Sequence, residues 1–202
     1  GWYESDKVRF RQGMPEKIGG WTRLSDNTFL GVCRSLHSWV TLANLKLTSV
    51  GTHLKYYIER GGEYNDVTPL RATVSLSGPF ATSSGSTTVT VTDANGGYKN
   101  NDFVTFSGAS AVGGLTLNGE FQITYSTGNT YTITASSAAS SSASGGGTVS
   151  AAYQVNTGAE LAVPLEGWGA GDWGEGTWGV GGTGVERLRV WSQGNFGEDL
   201  II

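Results

Sequence analysis

Cys33 and His37 stand four residues apart, a spacing that on a helix puts a thiol beside an imidazole able to take its proton. No third group that would orient the ring is evident. The spacing therefore reads as a small buried cysteine beside a half-exposed histidine. His53 and Asp66 form a second candidate pair across a hairpin, where a structural hydrogen bond is the simpler role than acid–base work. Carboxylates supply a third. Glu166, Asp172 and Glu175 lie among Trp168, Trp173 and Trp178, a mixture in which acids could cleave a glycosidic bond while indoles stack on sugar. The plainer reading is that these acids keep a glycine-rich loop soluble. Gly169/Gly171/Gly174 and Gly179/Gly181/Gly184 both match Gly-x-Gly-x-x-Gly. A phosphate cradle needs a strand before that loop and a helix N-terminus after it. Here a strand-like segment follows, so the matches arise from composition. Walker, His-Glu-x-x-His, Gly-x-Ser-x-Gly and Asn-x-Ser/Thr motifs are absent. No catalytic residue, cofactor or metal ligand set is expected.

The elements that would position these residues are constrained by composition. The chain has 202 residues, 13 Lys and Arg against 17 Asp and Glu, and a net charge of −4. That balance argues against a protein that holds nucleic acid by general charge attraction. Glycine fills 32 positions and proline 4, yet hydrophobic residues reach 38% with seven Trp, enough to bury a core rather than remain disordered. One cysteine excludes an internal disulfide, and two histidines leave little for a metal. No apolar run is long enough for a membrane-spanning helix, so no membrane insertion by this segment is expected. The chain opens without an initiator Met and stops on Leu200-Ile201-Ile202 in mid-pattern. Both ends read as cuts through a longer polypeptide.

Charge divides the chain into three zones: +3 over residues 1–72, −2 over 73–153 and −5 over 154–202. The middle zone carries only four charged residues, an abrupt change that marks an insertion. In the first zone, Leu45 to Thr52 and Leu54 to Glu59 read as strands, and Arg60-Gly61-Gly62 as the turn of a hairpin leading to Glu63–Val67. Residues 29–36 fit a strand or a short helix. This zone reads as one antiparallel meander, the size of a propeller blade or half a small sandwich.

In the middle zone, residues 87–92 alternate Thr and Val, and Phe103–Phe106, Gly119–Tyr125, Thr130–Thr134 and Gly147–Tyr153 read as further strands. Ala135 to Gly147, nearly pure Ser, Ala and Gly, has nothing to bury and reads as a mobile loop. In the third zone Trp168, Trp173 and Trp178 recur every five residues within glycine, each free to plug a core or an interface. Glu186 to Trp191 alternates charged and apolar residues, the pattern of a half-buried strand. Near the start, Lys7, Arg9, Arg11 and Lys17 interleave with Phe10 and Trp21, but Glu4, Asp6 and Glu16 interrupt them. That pattern fits an exposed mixed strand or an ion-paired subunit contact better than a phosphate-binding face. The fold class expected is all-β: an antiparallel meander with an inserted small β-barrel or β-sandwich.

Three stretches carry a resemblance. Gly1-Trp2-Tyr3-Glu4-Ser5-Asp6-Lys7-Val8-Arg9-Phe10 with residues 13–21, Gly51–Tyr57 with Tyr64–Pro69, and Trp191-Ser192-Gln193-Gly194-Asn195-Phe196-Gly197-Glu198-Asp199-Leu200-Ile201 resemble the tail nozzle (head-to-tail stabilisation) proteins of short-tailed bacteriophages. Val112–Glu120 and Tyr131–Ala135 are similar to a small β-barrel insert common in phage tail proteins. The chain ends well before a full member of that family would. The resemblance implies residues 1–72 and 154–202 as propeller-like body and 73–153 as the inserted barrel. It implies a non-enzymatic virion protein in a homo-oligomeric ring of six, between portal or adaptor and distal tail proteins, with DNA passing through without fixed contacts. Subunit contacts are expected at Trp168, Trp173, Trp178 and Trp191, and at Arg187, Arg189, Trp21 and Tyr56. The alternative is a phage tail adhesin or carbohydrate-binding module that uses the Gly/Trp-rich segment.

Overall fold

The computed structural model describes residues 6–20, 22–23, 25–158 and 188–202. Every regular element among them is a strand, and all pairings are antiparallel. A hairpin of β1 (Val8–Arg11) and β2 (Met14–Lys17) turns through Gln12 and Gly13, both at positive φ. Next comes a four-stranded meander of β3 (Cys33–Val40), β4 (Lys46–Thr52), β5 (Tyr56–Arg60) and β6 (Glu63–Asp66). Residues 33–36 are therefore strand, which resolves the strand-or-helix ambiguity. Gly61 and Gly62 turn β5 into β6 at φ 62° and 93°, the left-handed pair that a two-residue hairpin loop requires.

Two sheets then pack as a sandwich between Leu70 and Gln154. One is ordered β11 (Gly119–Gln122), β10 (Phe103–Ser107), β15 (Thr148–Gln154), β7 (Leu70–Ser77). The other is ordered β12 (Tyr125–Ser126), β13 (Thr130–Thr134), β9 (Thr88–Thr92), β8 (Phe80–Thr82), β14 (Ala143–Gly145). Period-two alternation explains the core. Val89 and Val91, Tyr131 and Ile133, Val104 and Phe106, and Val149, Ala151 and Tyr153 all face inward and are buried. Phe80 meets Phe106 edge-on at 5.1 Å, joining the two sheets. Each large apolar side chain so covered stabilises the unit by about 1.5–3 kcal/mol before chain entropy is counted.

The Ser/Ala/Gly stretch is not a loop with nothing to bury. Ala135 and Ala139 are core residues, and Ala143–Gly145 is a strand paired to β8. Small side chains are what let this segment lie close to the core: a Cβ at Gly146, which sits at φ +116°, would run into the Phe80 ring. The strands Leu70–Ser77 and Phe80–Thr82 lie where the sequence reading placed none. The expected strand over Glu186–Trp191 is also corrected: of its described residues, Leu188 makes one isolated bridge to Gly158 and residues 189–191 pair with nothing as strand. The chain ends in a hairpin of β16 (Gly194–Phe196) and β17 (Asp199–Ile201).

Candidate functional site

The residues that make long-range polar contacts converge where the meander meets the sandwich and the C-terminal segment. The turn Thr52–Lys55 sets up the junction. Thr52 donates its N–H to the Lys55 carbonyl (2.8 Å), and its hydroxyl accepts the N–H groups of Leu54 (3.1 Å) and Lys55 (2.8 Å). That turn directs the Lys55 side chain inward, where the residue is only 1% exposed. Its ammonium donates to Asp66 at the end of β6 and to Glu120 Oε1 on β11 (2.6 Å), and lies 4.4 Å from the Phe103 ring centre. Glu120 Oε1 also accepts from Gln154 Nε2 at 2.7 Å. Thr68 donates both its N–H and hydroxyl to Asp66 Oδ1.

Burial pulls the Lys55 pKa down, but the hydrogen bonds and charges of Asp66 and Glu120 outweigh it and leave it raised. Burial likewise pushes the Asp66 carboxyl up, and the hydrogen bonds from Lys55 and Thr68 reverse this to a net lowering. Lys55 is thus a charged strut from the meander to the sandwich. A lone Lys inside an apolar, aromatic run was the one sequence signal for it, since such a residue must be paired when buried.

A second contact docks the C-terminal segment on β4 and β5. The Trp191 indole N–H donates to the Thr52 carbonyl (2.8 Å), and its ring lies 4.8 Å from that of Tyr56. Tyr56 donates its hydroxyl to Gln193 Oε1 at 2.6 Å, and Ser49 donates to the same oxygen. Burial raises the Tyr56 pKa, which keeps the phenol a donor. A Cβ at Gly51 would collide with Trp191 and Ser35, so glycine is required for the indole to seat. Arg34 Nη1 donates to the Arg189 carbonyl (3.2 Å), and Arg189 Nη1 to the Asn156 carbonyl (2.6 Å). Beside this dock lies a groove of about 370 Å³ lined by Pro69, Val155, Val190, Trp191 and Ile202 together with the polar Asn156, Thr157 and Arg189.

The structure therefore brings three sequence-predicted residues, Tyr56, Trp191 and Arg189, into one neighbourhood, with contacts made inside the chain. Trp168, Trp173, Trp178, Arg187 and Trp21 lie outside the described residues, as do Glu166, Asp172, Glu175 and the Gly-x-Gly-x-x-Gly matches. Cys33 is exposed rather than buried, because it precedes a register shift at the end of an edge strand. His37 is on the same strand as Cys33, contacts Asn195 and stacks on Trp39. His53 does not pair with Asp66. Its Nδ1 accepts the Val32 N–H at 2.9 Å, while Lys55 claims the carboxylate.

Within the sandwich, Tyr131 and Tyr153 share a hydroxyl hydrogen bond (2.8 Å), Tyr153 donates to Asp93 Oδ2 (2.7 Å) and Tyr98 to the Asp93 carbonyl (2.8 Å). Burial drives the Tyr131 and Tyr153 pKa values well above the ordinary phenol. This network satisfies buried polar atoms. Among those residues no three His, Cys, Asp or Glu side chains cluster to hold a metal, and no helix is long and apolar enough to cross a membrane.

Comparison with known proteins gives little beyond this. No protein-family profile and no curated protein matches the chain. One solved structure similar in part is a phage phi92 endosialidase, with a TM-score of 0.37 and 23% identity over 62% of this chain. The match spans 17% of that protein's length, and a likeness at this level carries neither fold nor activity.

Proposed function

We propose that the chain is a non-catalytic structural part of the tail of a short-tailed phage, within the nozzle that channels DNA from the head. The observation that carries this reading is the set of three sequence stretches resembling the nozzle family. Residues 1–72 and 154–202 then belong to the propeller-like body, and 73–153 to the inserted domain. Copies assemble as a six-membered ring between portal or adaptor and distal tail proteins. A neutral or acidic lumen lets DNA slide, since fixed cationic contacts to phosphate would hold it. Two properties of the described residues support the reading. The buried charged side chains Lys55, Asp93 and Asp102 are engaged in structural contacts, and large apolar side chains stay uncovered on the meander and the two terminal hairpins. Negative-stain electron microscopy with native mass tests it: a closed ring with a central hole supports the nozzle, and a trimeric stalk rejects it.

One observation favours the adhesin reading, the groove beside Trp191 and Arg189. An indole wall and a cation are apt for a sugar acid. Against it, the indole N–H is already committed to Thr52. Glycan-array binding lost in Arg189→Ala would promote this reading.

A further inference from the structure

The large exposed apolar side chains are not spread over the molecule. Among the described residues none lies between 71 and 154, and a strip of them follows β3: Leu36 and Val40 on the strand, with Leu30, Val32 and Leu42 around it. Leu36 is 66% exposed and Val40 55%, on a strand that forms an edge of its sheet. Contiguous apolar surface on an open strand edge marks an interaction site. The strip also has a charge. Val40 pairs in register with exposed Lys46, so its end is apolar and basic.

The β16–β17 hairpin has the matching character. Phe196 is 77% exposed, Ile201 and Ile202 are exposed, and the turn and second strand carry Glu198 and Asp199. A copy's own hairpin does not cover the strip. Asn195 of β16 contacts His37, and Gln193 contacts Ser49, which pairs with His37. His37 alternates with Leu36 along the strand, so the copy's own segment lies on the opposite face. Nor does strip-to-strip pairing fit, because it sets Lys46 and the +3 zone of residues 1–72 against themselves. The −5 zone of residues 154–202 contains the hairpin, so a head-to-tail contact joins opposite charges.

We propose that the Leu36/Val40 strip of one copy receives the β16–β17 hairpin of a second copy, with Phe196 and Ile201 on the apolar strip and Glu198 facing Lys46. The contact is heterologous, leaves both surfaces free at the ends of an open chain of copies, and closes by rotation. It rests on the ring reading above and names the surfaces that would build it.

The test uses the full chain with benzoyl-phenylalanine in place of Leu36, prepared from mixed ¹⁴N and ¹⁵N copies and irradiated. Cross-links from position 36 to residues 194–202, with mixed isotopes, are the expected result. In parallel, Lys46→Glu weakens self-association about tenfold, and adding Glu198→Lys restores it to within about threefold. Circular dichroism and melting of Leu36→Asp stay unchanged, because the side chain is exposed, while its assembly is lost. Cross-links confined to one isotope overturn the proposal. A ring that still forms in Lys46→Glu and Leu36→Asp overturns this contact and leaves the nozzle reading standing. A chain that stays monomeric at high concentration, with no cross-link from position 36, overturns the contact and removes its basis.

Discussion

Between Arg71 and Gln154 the described residues cover their own large apolar side chains, and the solvent-facing strand positions are mostly Ser and Thr. Between Leu30 and Val67 the strands are equally regular, yet one edge carries uncovered Leu and Val, and a buried Lys takes its partners from two different units. The first region can bury its core alone because two sheets face each other. The second is a single sheet, which has two faces and two edges to cover and only short segments with which to do it. Trp191 and Gln193 cover part of one face, and Phe29, packed on Tyr57 and Tyr64, part of the other. A self-contained sandwich is suited to be carried, whereas a partly covered sheet is suited to be joined.

The largest effect that would break this comparison is in the sandwich core. Phe106→Ala should cost about 3–5 kcal/mol and raise hydrogen exchange across residues 70–154 much more than across 33–66. Equal loosening of both regions would show that they fold as one. Next is the strut between them. Lys55→Met strands Asp66 and Glu120, whose side chains are 35% and 37% exposed, so the loss should be about 2–3 kcal/mol, below that of a fully buried pair.

The same strut predicts a pH profile. The Asp66 pKa is lowered from 3.8, so its contribution is complete above that value and is lost as pH falls through the folded-state pKa. The Lys55 pKa is raised from 10.5, so its contribution is complete below that value and is lost as pH rises through the folded-state pKa. The strut's own contribution to the denaturant midpoint should be flat between those limits, and Lys55→Met should weaken both falling limbs while leaving the alkaline loss due to the buried tyrosines. An unchanged profile in the variant would refute the pairing.

Gly51→Ala should displace the Trp191 indole, costing about 1–3 kcal/mol and shifting tryptophan emission to the red. Blue-shifted or unaltered emission would mean that the dock tolerates a Cβ. The smallest effect sharpens the contrast. Leu36→Ser should alter chain stability by less than about 0.5 kcal/mol, although the same change at a sandwich position such as Ile133 would be severe.

Much of the strand content was legible in the residues. Thr88-Val89-Thr90-Val91-Thr92 and Thr130-Tyr131-Thr132-Ile133-Thr134 alternate with the period of a pleated strand, and both put the expected residues inside. The Gly61-Gly62 turn was equally plain, because only left-handed backbone closes that hairpin tightly. By contrast, Ala143–Gly145 gave no strand signal. Its role depends on the approach of β8 and Phe80, and small residues look alike whether they are packed or free.

At the junction, sequence singled out Tyr56, Trp191 and Arg189 as contact residues, and the aromatic content justified attention to the first two. It did not show that Trp191 inserts beside Gly51, 140 positions earlier, or that Asp66 belongs to Lys55 rather than His53. Local pattern and turn chemistry, which operate over two to four residues, determined the all-β class, the main hairpin and the sandwich strands β9, β10, β11, β13 and β15 from the sequence itself, but not β7, β8 or β14. Only tertiary structure decided which charges are buried together, which glycine admits an indole and which strand edge stays bare. Those outcomes depend on segments meeting across 11 residues for Lys55 and Asp66, 65 for Lys55 and Glu120 and 140 for Gly51 and Trp191, and no local periodicity encodes those pairings.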